Sequence, residues 1–131
     1  MSIRRIQHVS VPRPGGEEAH RKAVAFYEGI MGAKHVPSPD SLSALDLTWF
    51  RWGDDEIHIY ATGPGEPSPH HGGHFCMAIE DIEDARGRLR EAGIPCHDTT
   101  PIPGRPRFFT NDPFGNSIEI SQIDEDGSEA R

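Results

Sequence analysis

One order of elements occurs twice along the chain at matched spacing, and that duplication limits the fold more than any other feature. Residues 3–11 alternate, with Ile6, His8 and Ser10 on one face and Gln7, Val9 and Val11 on the other, which predicts a strand. Pro12-Arg13-Pro14-Gly15-Gly16 reads as its end. Residues 17–31 place Ala19, Ala23, Phe26, Tyr27 and Ile30 at helical spacing, with Gly32 as the stop. A short strand at 34–36, a loop at 37–43 and two strands at 45–52 and 56–61 follow, the last two joined at Gly53-Asp54-Asp55. The second half starts with a strand at 74–79. Asp81 then caps a helix reaching Ala92, whose buried stripe is Ile82, Ala85, Leu89 and Ala92. Gly93 ends it, and strands are expected at 95–98, 105–110 and 116–122, with Asp112-Pro113-Phe114-Gly115-Asn116 turning between the last two. Each half is therefore strand–helix–strand–strand–strand. Gly32 to His58 and Gly93 to Glu119 both span 26 residues. His8 to Gly32 is 24 residues and His74 to Gly93 is 19, and the difference of 5 is the length of the Pro12–Gly16 insertion. His8 thus matches His74, and His58 matches Glu119.

A length of 131 residues suits one α+β domain over 1–123, with module one at 3–61, a Pro/Gly/His-rich linker at 62–73, module two at 74–123 and a polar, disordered tail at 124–131. The net charge of −8 argues against nucleic acid as a partner. No apolar run approaches the roughly 20 residues that a membrane-spanning helix needs. The first residues read as the start of a strand and not as a secretion signal. Cys76 and Cys96 form no Cys-x-x-Cys pair, so neither a disulfide framework nor a cysteine zinc knuckle is expected, and a cytoplasmic setting is the simplest.

Eight histidines are many for such a chain. His58 lies between Ile57 and Ile59, and Glu119 between Ile118 and Ile120. His74 alternates with Phe75, Met77 and Ile79, and His8 with Val9 and Val11. In all four strands the apolar face can cover a helix while the other face carries the ionisable group. Two such modules around one concavity bring three imidazoles and one carboxylate together. That donor set suits one divalent ion, Fe, Ni, Mn, Co or Zn. On an octahedral ion it leaves two neighbouring positions for two oxygens of a small-molecule substrate, with the ion acting as a Lewis acid. With His58 standing off, His8, His74 and Glu119 make the two-histidine, one-carboxylate set of non-haem Fe(II) oxygen chemistry. Phe50, Tyr60 and Phe109 are candidates for substrate contact or for core packing. Arg107 suits an anionic substrate, or a pair with Asp46, its counterpart at an offset of 61 residues. Cys76 reads as a small buried residue, His20 and His35 as solvated, His70 and His71 as linker, and His97 as a strand-surface residue.

Several of these residues fall in strings that resemble the vicinal oxygen chelate superfamily, also called the glyoxalase/bleomycin resistance/dioxygenase family. They are Ile6-Gln7-His8-Val9, the helix string Ala25-Phe26-Tyr27-Glu28-Gly29-Ile30-Met31-Gly32, Glu56-Ile57-His58-Ile59, Gly73-His74-Phe75, and Asp112-Pro113-Phe114-Gly115-Asn116-Ser117-Ile118-Glu119-Ile120. The resemblance spans about residues 3–123. It implies paired βαβββ modules whose curved mixed sheets enclose a metal-centred cavity, with ligands from the first and last strand of each module. On this chain those are His8, His58, His74 and Glu119. It further implies a homodimer, and a Glu119 that can leave the metal to act as a catalytic base. Bacterial glyoxalase I usually has glutamate, and methylmalonyl-CoA epimerase glutamine, where His58 stands. Extradiol dioxygenases usually carry a tyrosine before the last ligand, where this chain has Arg107-Phe108-Phe109-Thr110. Three functions follow as expectations: a metal-dependent lyase or isomerase of glyoxalase type, an Fe(II) dioxygenase, and a binding protein for a small molecule or antibiotic that does not turn it over.

Overall fold

The structure, a computed structural model, describes residues 1, 6–63 and 73–122. The start of the first strand at 3–5, His70 and His71 in the linker, and the tail at 124–131 lie outside the described residues. The chain divides into two compact units, Met1–Ser68 and Pro69–Arg131.

In the first unit β1 (His8–Pro14) leads into α1 (Glu17–Val24), followed by β2 (Lys34–Val36), β3 (Leu47–Trp52) and β4 (Asp55–Thr62). The sheet order is β1-β4-β3-β2, with β1 parallel to β4 and the other pairs antiparallel. The strand does not end at Pro12 as its composition suggests; it runs to Pro14, opposite Thr62. The reason is its place at the sheet edge. A strand bonded on one side only tolerates prolines, and Pro12 and Pro14 share one phase, so both missing N–H groups face the same way. The chain passes from α1 into a π-helical turn at Ala25–Ile30 before Gly32 stops it at φ 84°. This wider turn lets the consecutive side chains of Phe26 and Tyr27 both enter the core. The Tyr27 ring meets that of Phe50, and Phe50, Ile57 and Ile59 are all fully or nearly fully buried.

The second unit holds β5 (His74–Ile79), α2 (Ile82–Glu91), β6 (Arg107–Asn111) and β7 (Ser117–Gln122), with sheet order β5-β7-β6. Asp81 caps α2 by accepting from the N–H groups of Glu83 and Asp84 at 3.1 and 3.2 Å. Ile82, Ala85 and Leu89 pack inward, and Phe108, Ile118 and Ile120 form the buried face of the sheet. The strand expected at 95–98 is only a bridge, His97 opposite Phe109. Pro95 cannot donate, and Pro101, Pro103 and Pro106 interrupt the segment before β6, so no ladder extends. The turn before β7 is tied by Asp112, whose Oδ1 accepts from the N–H of Phe114 at 2.9 Å and of Asn116 at 2.8 Å.

The two ladders share one register. His8 lies opposite Glu56, and His74 opposite Ser117. Glu56 and Ser117 are 61 residues apart, the same offset as His58 and Glu119. Within each unit, the first-strand histidine and the last-strand donor therefore occupy equivalent positions.

Candidate functional site

Period-two alternation sorts the first sheet into two faces. Ile57, Ile59, Thr48 and Phe50 lie on the face that α1 covers. His8, Trp49, Glu56, His58 and Tyr60 lie on the other. Phe50 is therefore a core residue, with no exposed surface and its ring centroid 5.2 Å from that of Tyr27. Tyr60, 40 % exposed, shares the phase of His58. His20 and His35 also belong to the helix side. They are half-buried rather than solvated, with His20 Nδ1 2.9 Å from Thr48 Oγ1 and the two rings 5.3 Å apart.

The His58 ring is held on both faces. The Trp49 indole lies 3.6 Å away at an interplanar angle of 6°, and the His8 imidazole 4.1 Å away at 24°. Its edge is fixed as well, since Nε2 lies 2.7 Å from Glu56 Oε1. Donation from His58 holds the Glu56 carboxyl below its usual range against the upward push of burial, and Gln7 assists. Trp49 and Glu56 were not singled out by sequence pattern. Counting back from the Gly53-Asp54 turn would have found Trp49, because the hairpin sets it opposite His58.

In the second sheet His74, Cys76, Arg107, Phe109 and Glu119 share the face away from Phe108, Ile118 and Ile120. Glu119 is 8 % exposed. Arg107 Nη1 donates to its Oε1 at 2.7 Å, and His74 Nε2 stands 4.0 Å from the same atom. Burial pushes the Glu119 carboxyl up, but hydrogen bonds from Cys76 and Arg107 and the charge of Arg107 outweigh it, and the group sits below its usual range. Cys76 is exposed as a residue rather than buried, yet its thiol turns onto Glu119. Loss of water there, the Glu119 hydrogen bond and the Glu119 charge push it up to about 12. The Phe109 ring packs edge-on against His74 at 4.9 Å.

By ladder position Asp46 is not the counterpart of Arg107. The hairpin turn before β7 is one residue longer than that before β4, so Arg107 matches Leu47 by ladder position, opposite Ser121 as Leu47 is opposite Tyr60. Asp46 is bound instead by Arg13, with Nη2 2.6 Å from Oδ1, and Arg13 also donates to Thr48 Oγ1 at 3.1 Å. Arg107 gives its second terminal nitrogen to Thr100 O at 2.7 Å, while its buried Nε has no acceptor among the described residues.

The donors fit a divalent ion chemically. His74 Nε2 and Glu119 Oε1, 4.0 Å apart, are an imidazole nitrogen and a carboxylate oxygen, the donor types that such an ion takes. Among the described residues no group of three or more His, Cys, Asp or Glu side chains is gathered to hold an ion. The candidate donors come as two pairs, one in each unit. Among the described residues no helix is long and apolar enough to cross a membrane.

Comparison with known proteins agrees with this fold. A glyoxalase-family protein from Bacillus anthracis is 32 % identical, with 93 % of this chain and 97 % of that chain covered and a TM-score of 0.83. Lactoylglutathione lyase from Agrobacterium tumefaciens has the same fold at 22 % identity, with coverages of 90 % and 92 % and a TM-score of 0.65. The fosfomycin resistance protein FosX from Listeria monocytogenes has it at 15 % identity, with coverages of 96 % and 98 % and a TM-score of 0.70. No curated protein matches the sequence. The model of the Glyoxalase/Bleomycin resistance protein/Dioxygenase superfamily matches residues 5–120. The chain, with its repeated strand order and matched donor pairs, belongs to that superfamily.

Proposed function

We propose that this protein is a divalent-metal-dependent enzyme that binds a small substrate through two oxygens and carries out a lyase or isomerase step through an enolate or oxyanion. The ligands are His8, His58, His74 and Glu119, serving one ion within a chain or across a homodimer. The observation that supports this most is the common register: each unit presents one donor from its first strand and one from its last, at equivalent ladder positions. The reaction type is taken by analogy with lactoylglutathione lyase among the proteins of the same fold.

A bound Fe, Ni, Mn, Co or Zn ion would supply Lewis-acid stabilisation of negative charge on the substrate oxygens. Glu119, held ionised by Cys76 and Arg107, is the group that accepts a substrate proton. Arg107 faces an anionic substrate, and its Nε–H, without an acceptor among the described residues, is a hydrogen still to be donated. Phe109 and Tyr60 supply contact surface beside the donors.

One second reading, in which His58 keeps Nε2 on Glu56 and its Nδ1 stays off the ion, is an Fe(II) dioxygenase built on His8, His74 and Glu119. Calorimetric titration of tag-free protein with Ni²⁺, Zn²⁺, Mn²⁺, Co²⁺ and Fe²⁺, repeated with each of the four ligands replaced singly, tests the site. One ion bound, and lost on replacement of His8, His74 or Glu119, is expected; protein that takes up no ion refutes the enzyme readings. Oxygen uptake with a catechol identifies the dioxygenase. Tight binding of an unchanged ligand identifies a sequestering protein.

A further inference from the structure

The two histidines of the first unit have opposite ring nitrogens committed. His58 Nε2 is 2.7 Å from Glu56 Oε1, whereas His8 Nδ1 is 2.6 Å from Gln7 Oε1. An ionised carboxylate and an amide carbonyl only accept, so in each contact the hydrogen sits on the imidazole. Gln7 also hydrogen-bonds Glu56. With its carbonyl on His8, its amide NH₂ is left to face the carboxylate, and the four side chains form one continuous relay: His8 to Gln7, Gln7 to Glu56, and His58 to Glu56 from the other end. The stack of Trp49, His58 and His8 clamps the His58 ring plane. A half-turn of the ring is the motion left to it, and the Glu56 contact selects one of the two edges.

We propose that Glu56 and Gln7 are positioning residues that fix opposite tautomers, so that His58 offers the lone pair of Nδ1 and His8 the lone pair of Nε2. The link to metal binding rests on the function proposed above; the tautomers themselves do not. Outer-sphere partners of this kind orient a ligand and raise its basicity, and losing one typically weakens metal binding 10–100-fold.

The test uses the full chain, ¹⁵N-labelled, tag-free and metal-free, with long-range ¹H–¹⁵N spectra of the imidazoles at pH 8. We expect His8 as the Nδ1–H form, opposite to the Nε2–H form that neutral imidazole prefers in water, and His58 as Nε2–H. Gln7→Leu should return His8 to Nε2–H. Glu56→Leu should release His58 into a mixture of forms, while Glu56→Gln, whose carbonyl still accepts, should retain the original form. An unchanged signal from His20, which is held against Thr48 on the helix side of the same unit, shows in each variant that the loss is not one of folding. Ni²⁺ affinity should fall 10–100-fold in Gln7→Leu and Glu56→Leu and stay within about threefold in Glu56→Gln. Finding His8 as Nε2–H, or His58 doubly protonated or as Nδ1–H, in the unmodified chain overturns the proposal whatever the metal does. Correct tautomers in a protein that binds no Ni²⁺ uphold it and defeat the metal-enzyme reading instead.

Discussion

Arg107→Leu isolates the contact that holds the Glu119 carboxylate. Arg107 Nη1 and Glu119 Oε1 are 2.7 Å apart, and the two side chains are 13 % and 11 % exposed. Removing the guanidinium leaves a carboxylate almost out of water. Breaking a buried pair from one side costs about 3–5 kcal/mol. The Cys76 thiol still donates to Glu119 and His74 still stands 4.0 Å away, so the low end, about 3 kcal/mol, applies. For a chain of this size that lowers the melting temperature by roughly 10 °C. Urea unfolding at pH 7, followed by circular dichroism, should show an earlier midpoint at unchanged slope. The pH dependence has a definite sign. The folded Glu119 carboxyl lies below its unfolded value, so the pair stabilises above about pH 4.3 and loses that contribution as pH falls through the folded value. The deficit of Arg107→Leu should therefore shrink on acidification, because a protonated Glu119 costs little to bury. Arg107→Leu/Glu119→Leu should recover most of the loss, since an apolar replacement of both partners leaves no charge stranded. A deficit below about 0.5 kcal/mol at pH 7, or one that does not respond to acid, would refute the burial of this pair and the ionised state assigned to Glu119.

Asp46→Asn strands the fully buried Arg13, but Asp46 is 45 % exposed and Arg13 keeps Thr48, so the cost at neutral pH should be only about 1–2 kcal/mol. The Arg13 hydrogen bond lowers the Asp46 carboxyl, so this difference should be present above about pH 4 and vanish at lower pH in parallel urea titrations. In a Cys96→Ser background, Cys76 should react with a disulfide reagent at pH 8 on the order of a thousand times more slowly than free cysteine, because little thiolate exists below a value of about 12. Glu119→Gln should speed it, and a native Cys76 as fast as free thiol would show that Glu119 does not hold it.

Much of the chain is legible one residue at a time. The alternation at 74–79, the Asp81 cap with its 3.6-residue stripe and the glycine stop at Gly93 are local. Each is set by side-chain direction or backbone freedom within a few residues, and β5 and α2 start where those signals lie. The duplication is legible for the same reason: equal spacing between a glycine stop and a last-strand donor survives in any arrangement of the strands. It identified His8, His58, His74 and Glu119 as equivalent pairs, and the ladders give them equivalent positions. Sequence could not decide what depends on neighbours distant along the chain. Pro12 and Pro14 look like a break until the strand is seen at an edge, where only one side needs hydrogen bonds. Phe50 reads as substrate contact or core packing until β3 is paired and its phase assigned to the helix side. Arg107 looks like the counterpart of Asp46 until the longer turn shifts the ladder by one residue, and Asp46 is found on Arg13. Pairing register and edge position are properties of the assembled sheet. They decide which side chains share a face, and through that face they fix the ionised Glu119 and the clamped His58.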